Sequence, residues 1–174
     1  MPRSPKHSET SNQGGPSWPT PTAPNRILII VTSVCEYEKA GYRTGLWLGE
    51  LTHFYDVAEQ PASSPRSSAS PEDWFPLDLR VWPTTCSRAR HGRRYADREF
   101  MDKLENTMSV AEADAEDYDA IYLTGGHGVM FDFHQSQELE SLIARFYDSG
   151  RIVSASATGR AACSMSLSRA ANHW

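Results

Sequence analysis

The chain has 174 residues, a formal net charge of -5 and 39% hydrophobic residues. Its length allows one domain, and without a basic tract neither nucleic acid nor an anionic membrane is an expected partner. No apolar run reaches the length of a transmembrane helix, and the basic N-terminus lacks the apolar core of a secretory signal. The widely spaced Cys35, Cys86 and Cys163 indicate reduced thiols in a cytoplasmic protein rather than a disulfide framework.

The first segments in chain order are a polar tail and a strand. Residues 1–25 are rich in proline, serine, threonine and glycine, so they are predicted to form a disordered tail. Residues 26–174 are expected to form a single domain. The run from Arg26 to Thr32 is apolar and β-branched, which is typical of a parallel strand buried on both faces.

A helix is predicted from Gly45 to about Gln60, where apolar side chains recur at helical spacing. The apolar stripe consists of Leu46, Trp47, Leu51, Phe54 and Tyr55. Glu50 follows Leu46 by one helical turn, so its carboxylate lies on the same stripe. A buried carboxylate is costly unless it is paired or protonated. The spacing alone therefore favours a glutamate at the edge of the stripe with its head in water.

The segment that follows this helix contains no predicted strand. An α/β fold requires one within a few residues, but Pro61 to Arg90 is dominated by proline, serine and arginine. Residues 61–92 are therefore expected to be atypical for the fold.

Regular structure is predicted again from Asp97 onward. One helix carries an apolar stripe of Phe100, Met101, Leu104 and Met108. A second helix begins after the N-cap Ser136, buries Leu139, Leu142, Ile143 and Phe146, and ends at Gly150. A strand then starts at Arg151.

A glycine-rich loop follows the short apolar run from Ala120 to Leu123, which is predicted to be a buried strand. Gly125, Gly126 and Gly128 let the backbone take positive φ or approach another group closely. In open α/β sheets, ligands bind outside the carboxyl ends of strands, which is where this loop belongs. A tight turn without function is the alternative for an isolated Gly-Gly pair.

Three stretches of the chain resemble a known family. They are Tyr118–Phe133 (YDAIYLTGGHGVMFDF), Gly41–Val57 (GYRTGLWLGELTHFYDV) and the first strand, Arg26–Ser33. They resemble the PfpI superfamily, which is class I glutamine amidotransferase-like, and more narrowly its HchA-like branch of glyoxalase III enzymes and chaperones. The resemblance implies a flavodoxin-like three-layer α/β sandwich with a parallel central sheet, incomplete in this chain.

The resemblance implies that reactive 2-oxoaldehydes such as methylglyoxal are converted to 2-hydroxy acids such as lactate, without glutathione or another cofactor. Protein deglycation and chaperoning during stress are open alternatives, and a homodimer is also left open. A cysteine thiolate would attack the aldehyde, Glu50 would move protons, and the amides of Gly125 and Gly126 would stabilise the oxyanion. His127 lies in the same loop and is a further candidate site residue.

The nucleophile of the family is missing from this sequence. Where the family pattern reads Ala-Val-Cys-His-Gly-Pro, the chain reads Ala-Ser-Ala-Thr-Gly-Arg, with Ala157 and Thr158 in place of Cys-His. The enzyme assignment is therefore uncertain: the chain as written is expected to be inactive, and a non-catalytic remnant or binding domain of the same fold is the alternative. Shifted reading frames in residues 61–92 and 155–174, together with truncation, are our hypothesis for both odd stretches, which the coding DNA would test.

Other reactive side chains carry less weight. His127, Asp132 and His134 could bind zinc, but spacing alone is weak support and no metal is expected. Cys163 has no histidine beside it and is expected to be an inert thiol. Cys35, just past the first strand, is interpreted as a filler residue.

Overall fold

The computed structural model describes residues 25–37, 39, 41–58, 63–70, 77, 90–156, 158–160, 163–164 and 168. The strands of the described part are β1 Asn25–Ile30, β2 Ser63–Ser70, β3 Met108–Ser109, β4 Ala120–Leu123 and β5 Ile152–Ala155. The helices are α1 Leu48–Ala58, α2 Arg90–Ala96, α3 Arg98–Glu105, α4 Val129–Asp132 and α5 Gln137–Asp148. The predicted N-terminal tail lies outside the described residues, apart from Asn25.

The five strands form one parallel sheet in the order β3-β2-β1-β4-β5. The edge strand β3 has only two residues. The four longer strands follow the order β2-β1-β4-β5, which is the flavodoxin-like arrangement. The chain leaves β1 for β2 on one side and later reaches β4 on the other side. The topological switch point therefore lies between the carboxyl ends of β1 and β4. The predicted fold class is confirmed.

Both faces of the sheet are covered, as the β-branched run predicted. Leu28 and Ile30 of β1 join one buried cluster, whereas Ile29 and Val31 join the other. The first cluster contains the buried face of α5, with Leu139, Leu142, Ile143 and Phe146. The second contains Leu51 and Tyr55 of α1 and Phe100 and Leu104 of α3. Among the described helices, none combines the length and apolar character needed to span a bilayer.

The prediction that residues 61–90 lack a strand was wrong. β2 pairs with β1 from Ser63 opposite Asn25 to Ala69 opposite Ile30. The pairing shifts by one residue after Pro65, and such a bulge accommodates a proline, which has no N–H to donate. The backbone of β2 is paired with β1 on one side and β3 on the other, so sheet context outweighs a composition that does not favour strands.

Helix ends differ from the sequence pattern by a few residues. α1 begins at Leu48 instead of Gly45, because Leu46 forms a bridge with Leu77 before the helix starts. The assignment of Met108 to a helical stripe was wrong. α3 ends at Glu105, where Asn106 caps the helix through its backbone and side-chain N–H groups, both bonded to the Asp102 carbonyl.

The predicted helix starts are confirmed by their caps. The Asp97 carboxylate accepts a hydrogen bond from the Phe100 amide, and the Ser136 hydroxyl accepts one from the Leu139 amide. These bonds satisfy amides that have no partner within the helix.

Asp132, the last residue of α4, ties this helix to the carboxyl end of β1. Its Oδ2 accepts hydrogen bonds from Thr32 Oγ1 at 2.7 Å and from the Ser33 amide at 2.9 Å. Its Oδ1 is buried and has no hydrogen-bond partner in the described part of the chain. Burial raises the pKa of Asp132, and the bonds from Thr32 and Ser33 act in the opposite direction.

We expect Asp132→Asn to remove a pH dependence of folding. The folded-state pKa is raised above the ordinary value of 3.8, so the folded chain keeps a proton that the unfolded chain has already lost. Stability should therefore fall as pH rises from the ordinary value through the raised one, and stay constant above it. The difference in urea-unfolding free energy between wild type and variant, followed from about pH 3 to pH 8, measures this contribution.

Glu105→Gln, at an exposed carboxylate at the end of α3, is the matched control for this measurement. A wild-type stability that rises relative to Asp132→Asn across the same window would mean that the hydrogen bonds of the carboxylate outweigh its burial.

Candidate functional site

The loop after β4 lies at the switch point of the sheet. Thr124 anchors the start of the loop to β1, because its amide and its hydroxyl both donate to the Ile30 carbonyl, at 3.0 Å and 2.8 Å. The three loop glycines, Gly125, Gly126 and Gly128, are buried. The loop thus starts from a fixed point beside the end of β1, where ligands bind in open α/β sheets.

Two of the glycines allow the loop to contact the segment before α1. Gly126 has φ +129°, and a Cβ there would lie 2.4 Å from the Gly45 carbonyl oxygen. The Trp47 amide donates to the Gly125 carbonyl at 3.3 Å. A Cβ at Gly125 would lie 1.9 Å from Glu50 Oε2. The predicted close approach is therefore made by the protein itself, and the missing side chain at Gly125 leaves room for the Glu50 carboxylate.

Glu50 is bonded to the end of β5. The Ser156 hydroxyl donates to Glu50 Oε2 at 2.6 Å, and both residues are half-buried. Burial raises the pKa of Tyr122, the Ser156 hydroxyl lowers it through a hydrogen bond, and the Glu50 charge raises it further. Glu50, Tyr122, Gly125 and Ser156, together with Gly126, are hereafter the carboxylate cluster.

Helical spacing alone favoured a stripe-edge glutamate with its head in water, and the structure adds that this half-buried carboxylate meets the Ser156 hydroxyl. Glu50 lies on the side of α1 that faces the loop, where Ser156 hydrogen-bonds its carboxylate. Ser156 was not singled out in the sequence, since nothing local to β5 indicates that its hydroxyl meets a carboxylate from α1.

The residue after the missing nucleophile also contacts the loop. The Gly126 amide donates to Thr158 Oγ1 at 3.0 Å, and the Thr158 hydroxyl donates to the Gly126 carbonyl at 2.9 Å. Gly159 lies so close to β4 that a Cβ would come within 2.5 Å of the Thr124 carbonyl oxygen. Ala157 lies outside the described residues. The Gly126 amide therefore donates to Thr158, although the sequence resemblance implies that this amide stabilises an oxyanion.

The other candidate site residues, His127, Asp132 and the cysteines, form no metal centre with the carboxylate cluster in the described part of the chain. His127 has an exposed side chain, and Asp132 is bonded to Thr32 and Ser33. Among the described residues, no three His, Cys, Asp or Glu side chains are grouped closely enough to hold a metal ion. Cys35 is an exposed thiol, and burial raises the pKa of the Cys163 thiol, which disfavours its reactive thiolate.

Curated relatives match most of this chain. Glyoxalase 3 of Candida albicans is 25% identical over 138 residues, which are 78% of this chain and 58% of that protein. The glutathione-independent glyoxalase HSP31 of Saccharomyces cerevisiae is 24% identical over 142 residues, which are 80% of this chain and 60% of that protein. The chain thus spans about three fifths of the length of these relatives. No protein-family model matches the chain.

Solved structures show the same arrangement. The Rapid Encystment Protein 24 kDa of Francisella tularensis superposes with a TM-score of 0.72 at 27% identity, over 79% of this chain and 60% of its own. Glyoxalase III of Candida albicans superposes with a TM-score of 0.69 at 25% identity, over 79% of this chain and 59% of its own. The sequence motifs that resemble the HchA-like branch of the PfpI superfamily are folded into this parallel sheet, and the chain is similar in sequence and in fold to glyoxalase III of Candida albicans.

Proposed function

We propose that the carboxylate cluster is the surviving part of a glutathione-independent glyoxalase site whose substrate is a small 2-oxoaldehyde such as methylglyoxal. The observation that carries this proposal is the position of Glu50, whose carboxylate lies against Gly125 at the switch point of the sheet. The relatives named as glyoxalases support the choice of chemistry. The proposed setting is the cytoplasm, where thiols stay reduced.

The chemistry sets three requirements for such a site. A thiolate adds to the aldehyde carbon, and a proton then leaves that carbon and returns to its neighbour, so that a 2-hydroxy acid forms after hydrolysis. In the proposed site Glu50 would carry the proton. The amides of Gly125 and Gly126 would polarise the carbonyl oxygen.

The chain as written has no thiol at the nucleophile position to attack the aldehyde. Its proton-carrying glutamate and its polarising amides are present, but they meet the remaining two requirements only in part. Ala157 has no side chain that can form a covalent intermediate. Thr158 bonds the Gly126 amide, and Ser156 bonds the Glu50 carboxylate, so both groups are engaged by the protein itself. We therefore propose that this chain does not turn over 2-oxoaldehydes. The same observations favour the second candidate, a non-catalytic binding domain of the same fold.

The purified chain should convert methylglyoxal to lactate no faster than the buffer background, with or without a thiol-alkylating reagent. Ala157→Cys combined with Thr158→His supplies a thiol and removes the hydroxyl that occupies the Gly126 amide. We expect only a small gain in turnover, since the sequence after position 160 departs from the family pattern. Glu50→Gln should abolish that gain. An ordinary enzymatic rate in the unmodified chain, measured as lactate formed, would contradict this proposal.

Ser156→Ala should lower the free energy of unfolding by about 1–2 kcal/mol, because a half-buried carboxylate loses a hydrogen-bond donor. When Glu50→Ala is already present, the same substitution should cost much less. Urea unfolding of the two single variants and the double variant measures the coupling.

Ser141→Ala, which removes an exposed hydroxyl bonded to the Gln137 carbonyl, is the control for a neutral hydroxyl. An equal cost of Ser156→Ala with and without Glu50 would show that the hydroxyl stabilises the chain through some other contact.

A further inference from the structure

The contact between Ser156 and Glu50 joins a hydroxyl to a carboxylate in the arrangement of a nucleophile and its base. The Ser156 hydroxyl donates to Glu50 Oε2 at 2.6 Å, a length typical of a hydroxyl bonded to a carboxylate. A general base within this distance activates a serine for attack on a carbonyl carbon. Both residues are half-buried, so the contact keeps access to solvent. The two residues are hereafter the serine–glutamate pair.

The base of the pair is held in place from two sides. A Cβ on Gly125 would lie 1.9 Å from Oε2, which is the same oxygen that accepts the Ser156 hydroxyl. Phe54, one helical turn after Glu50, stacks on Tyr122 of β4 with 3.6 Å between the ring centroids and 8° between the planes. This stack fixes α1 against the sheet beside Glu50. A base that is already oriented loses little freedom when it reacts, which favours catalysis.

The glycine loop supplies a backbone donor beside the pair. No acceptor among the described residues is bonded to the Gly125 amide, whereas the Gly126 amide donates to Thr158. When the Gly125 amide turns to a carbonyl oxygen that gains negative charge, the fold therefore loses no hydrogen bond. With Gly126 engaged by Thr158, one donor is left where a full oxyanion hole has two, so a slow reaction is expected.

The choice between substrate classes follows from the leaving group. A serine that adds to an aldehyde forms a hemiacetal, which has no group to expel and returns to the reactants. An ester has an alcohol to expel, so addition to it leads forward to an acyl-serine. The serine–glutamate pair is thus compatible with a chain that does not turn over 2-oxoaldehydes.

We propose that the serine–glutamate pair hydrolyses esters of small carboxylic acids, with Ser156 as the nucleophile and Glu50 as the general base. This reaction goes beyond the proposed function, with which it shares Glu50. Lactate formation and acylation of Ser156 are separate measurements, so one proposal can fail while the other holds.

The proposed reaction has two balanced stages. The Ser156 oxygen bonds to the ester carbon while its proton passes to Glu50, and the electrons of the carbonyl double bond move to the carbonyl oxygen. The bond to the alcohol then breaks, and the alcohol takes the proton from Glu50. Water releases the acid from the acyl-serine in the same way, so an ester and a water give an acid and an alcohol.

The test is covalent labelling of the full chain with diisopropyl fluorophosphate, followed by intact mass and peptide mapping. The serine oxygen displaces fluoride from phosphorus, so we expect one label per chain, at Ser156, and a loss of p-nitrophenyl acetate hydrolysis as the label forms. The exposed Cys35 thiol also reacts with this ester, so only the hydrolysis that the fluorophosphate removes is counted.

Two substitutions separate this role from a purely structural hydrogen bond. Ser156→Ala should abolish the label. Glu50→Gln should slow labelling and hydrolysis at least about 10-fold, because the amide still accepts the hydroxyl but cannot take its proton. Ser141→Ala, which removes an exposed hydroxyl bonded to the Gln137 carbonyl, is the control and should leave both rates unchanged.

A further variant guards against a folding defect in Ser156→Ala. Ser156→Cys keeps a nucleophile at the same position, so p-nitrophenyl acetate should acetylate position 156, and circular dichroism confirms that each variant is folded. The absence of a label at Ser156, labelling that is as fast in Glu50→Gln as in wild type, or labelling spread equally over exposed serines would each overturn the proposal.

Discussion

The contact between the glycine loop and the start of α1 is the constraint on which the site depends. The loop packs backbone against backbone, with the Trp47 amide bonded to the Gly125 carbonyl and no room for a side chain on Gly126 beside the Gly45 carbonyl. This packing fixes α1 so that Glu50 projects toward the end of β5. The Glu50 carboxylate fills the space that a side chain on Gly125 would occupy. A substitution at Gly125 or at Glu50 therefore affects the other residue.

The pairing of β1 with β4 determines where this contact forms. Ile27 to Ile30 lie opposite Ala120 to Leu123, so the carboxyl ends of the two central strands are level with each other. The carboxylate cluster lies at that edge near α1, and the bonds of Asp132 tie α4 to the end of β1. Ser156 bonds Glu50, and Thr158 bonds Gly126, so the groups that the proposed site would present to substrate are already bonded to side chains of the protein.

Strong periodic signals in the sequence predicted the central part of this fold. β1, β4 and α5 have patterns of burial that match their environment, and Ser136 is a local capping signal that needs no tertiary information. β2 could not be predicted, because its serine-rich backbone is ordered by pairing with β1 and β3 rather than by its own preferences. The bonds from Ser156 to Glu50 and from Thr32 to Asp132 join residues about 100 positions apart, so no local pattern could indicate them.

The most direct test of this account is the energetic coupling between Gly125 and Glu50. Gly125→Ala would place its Cβ on the Glu50 carboxylate and force that group away from Ser156. Urea unfolding should therefore show a cost of about 1–2 kcal/mol when Glu50 is present, and almost none in the Glu50→Ala background. If Gly125→Ala costs the same free energy in both backgrounds, the Glu50 carboxylate does not lie against the glycine loop, and the proposed site is wrong.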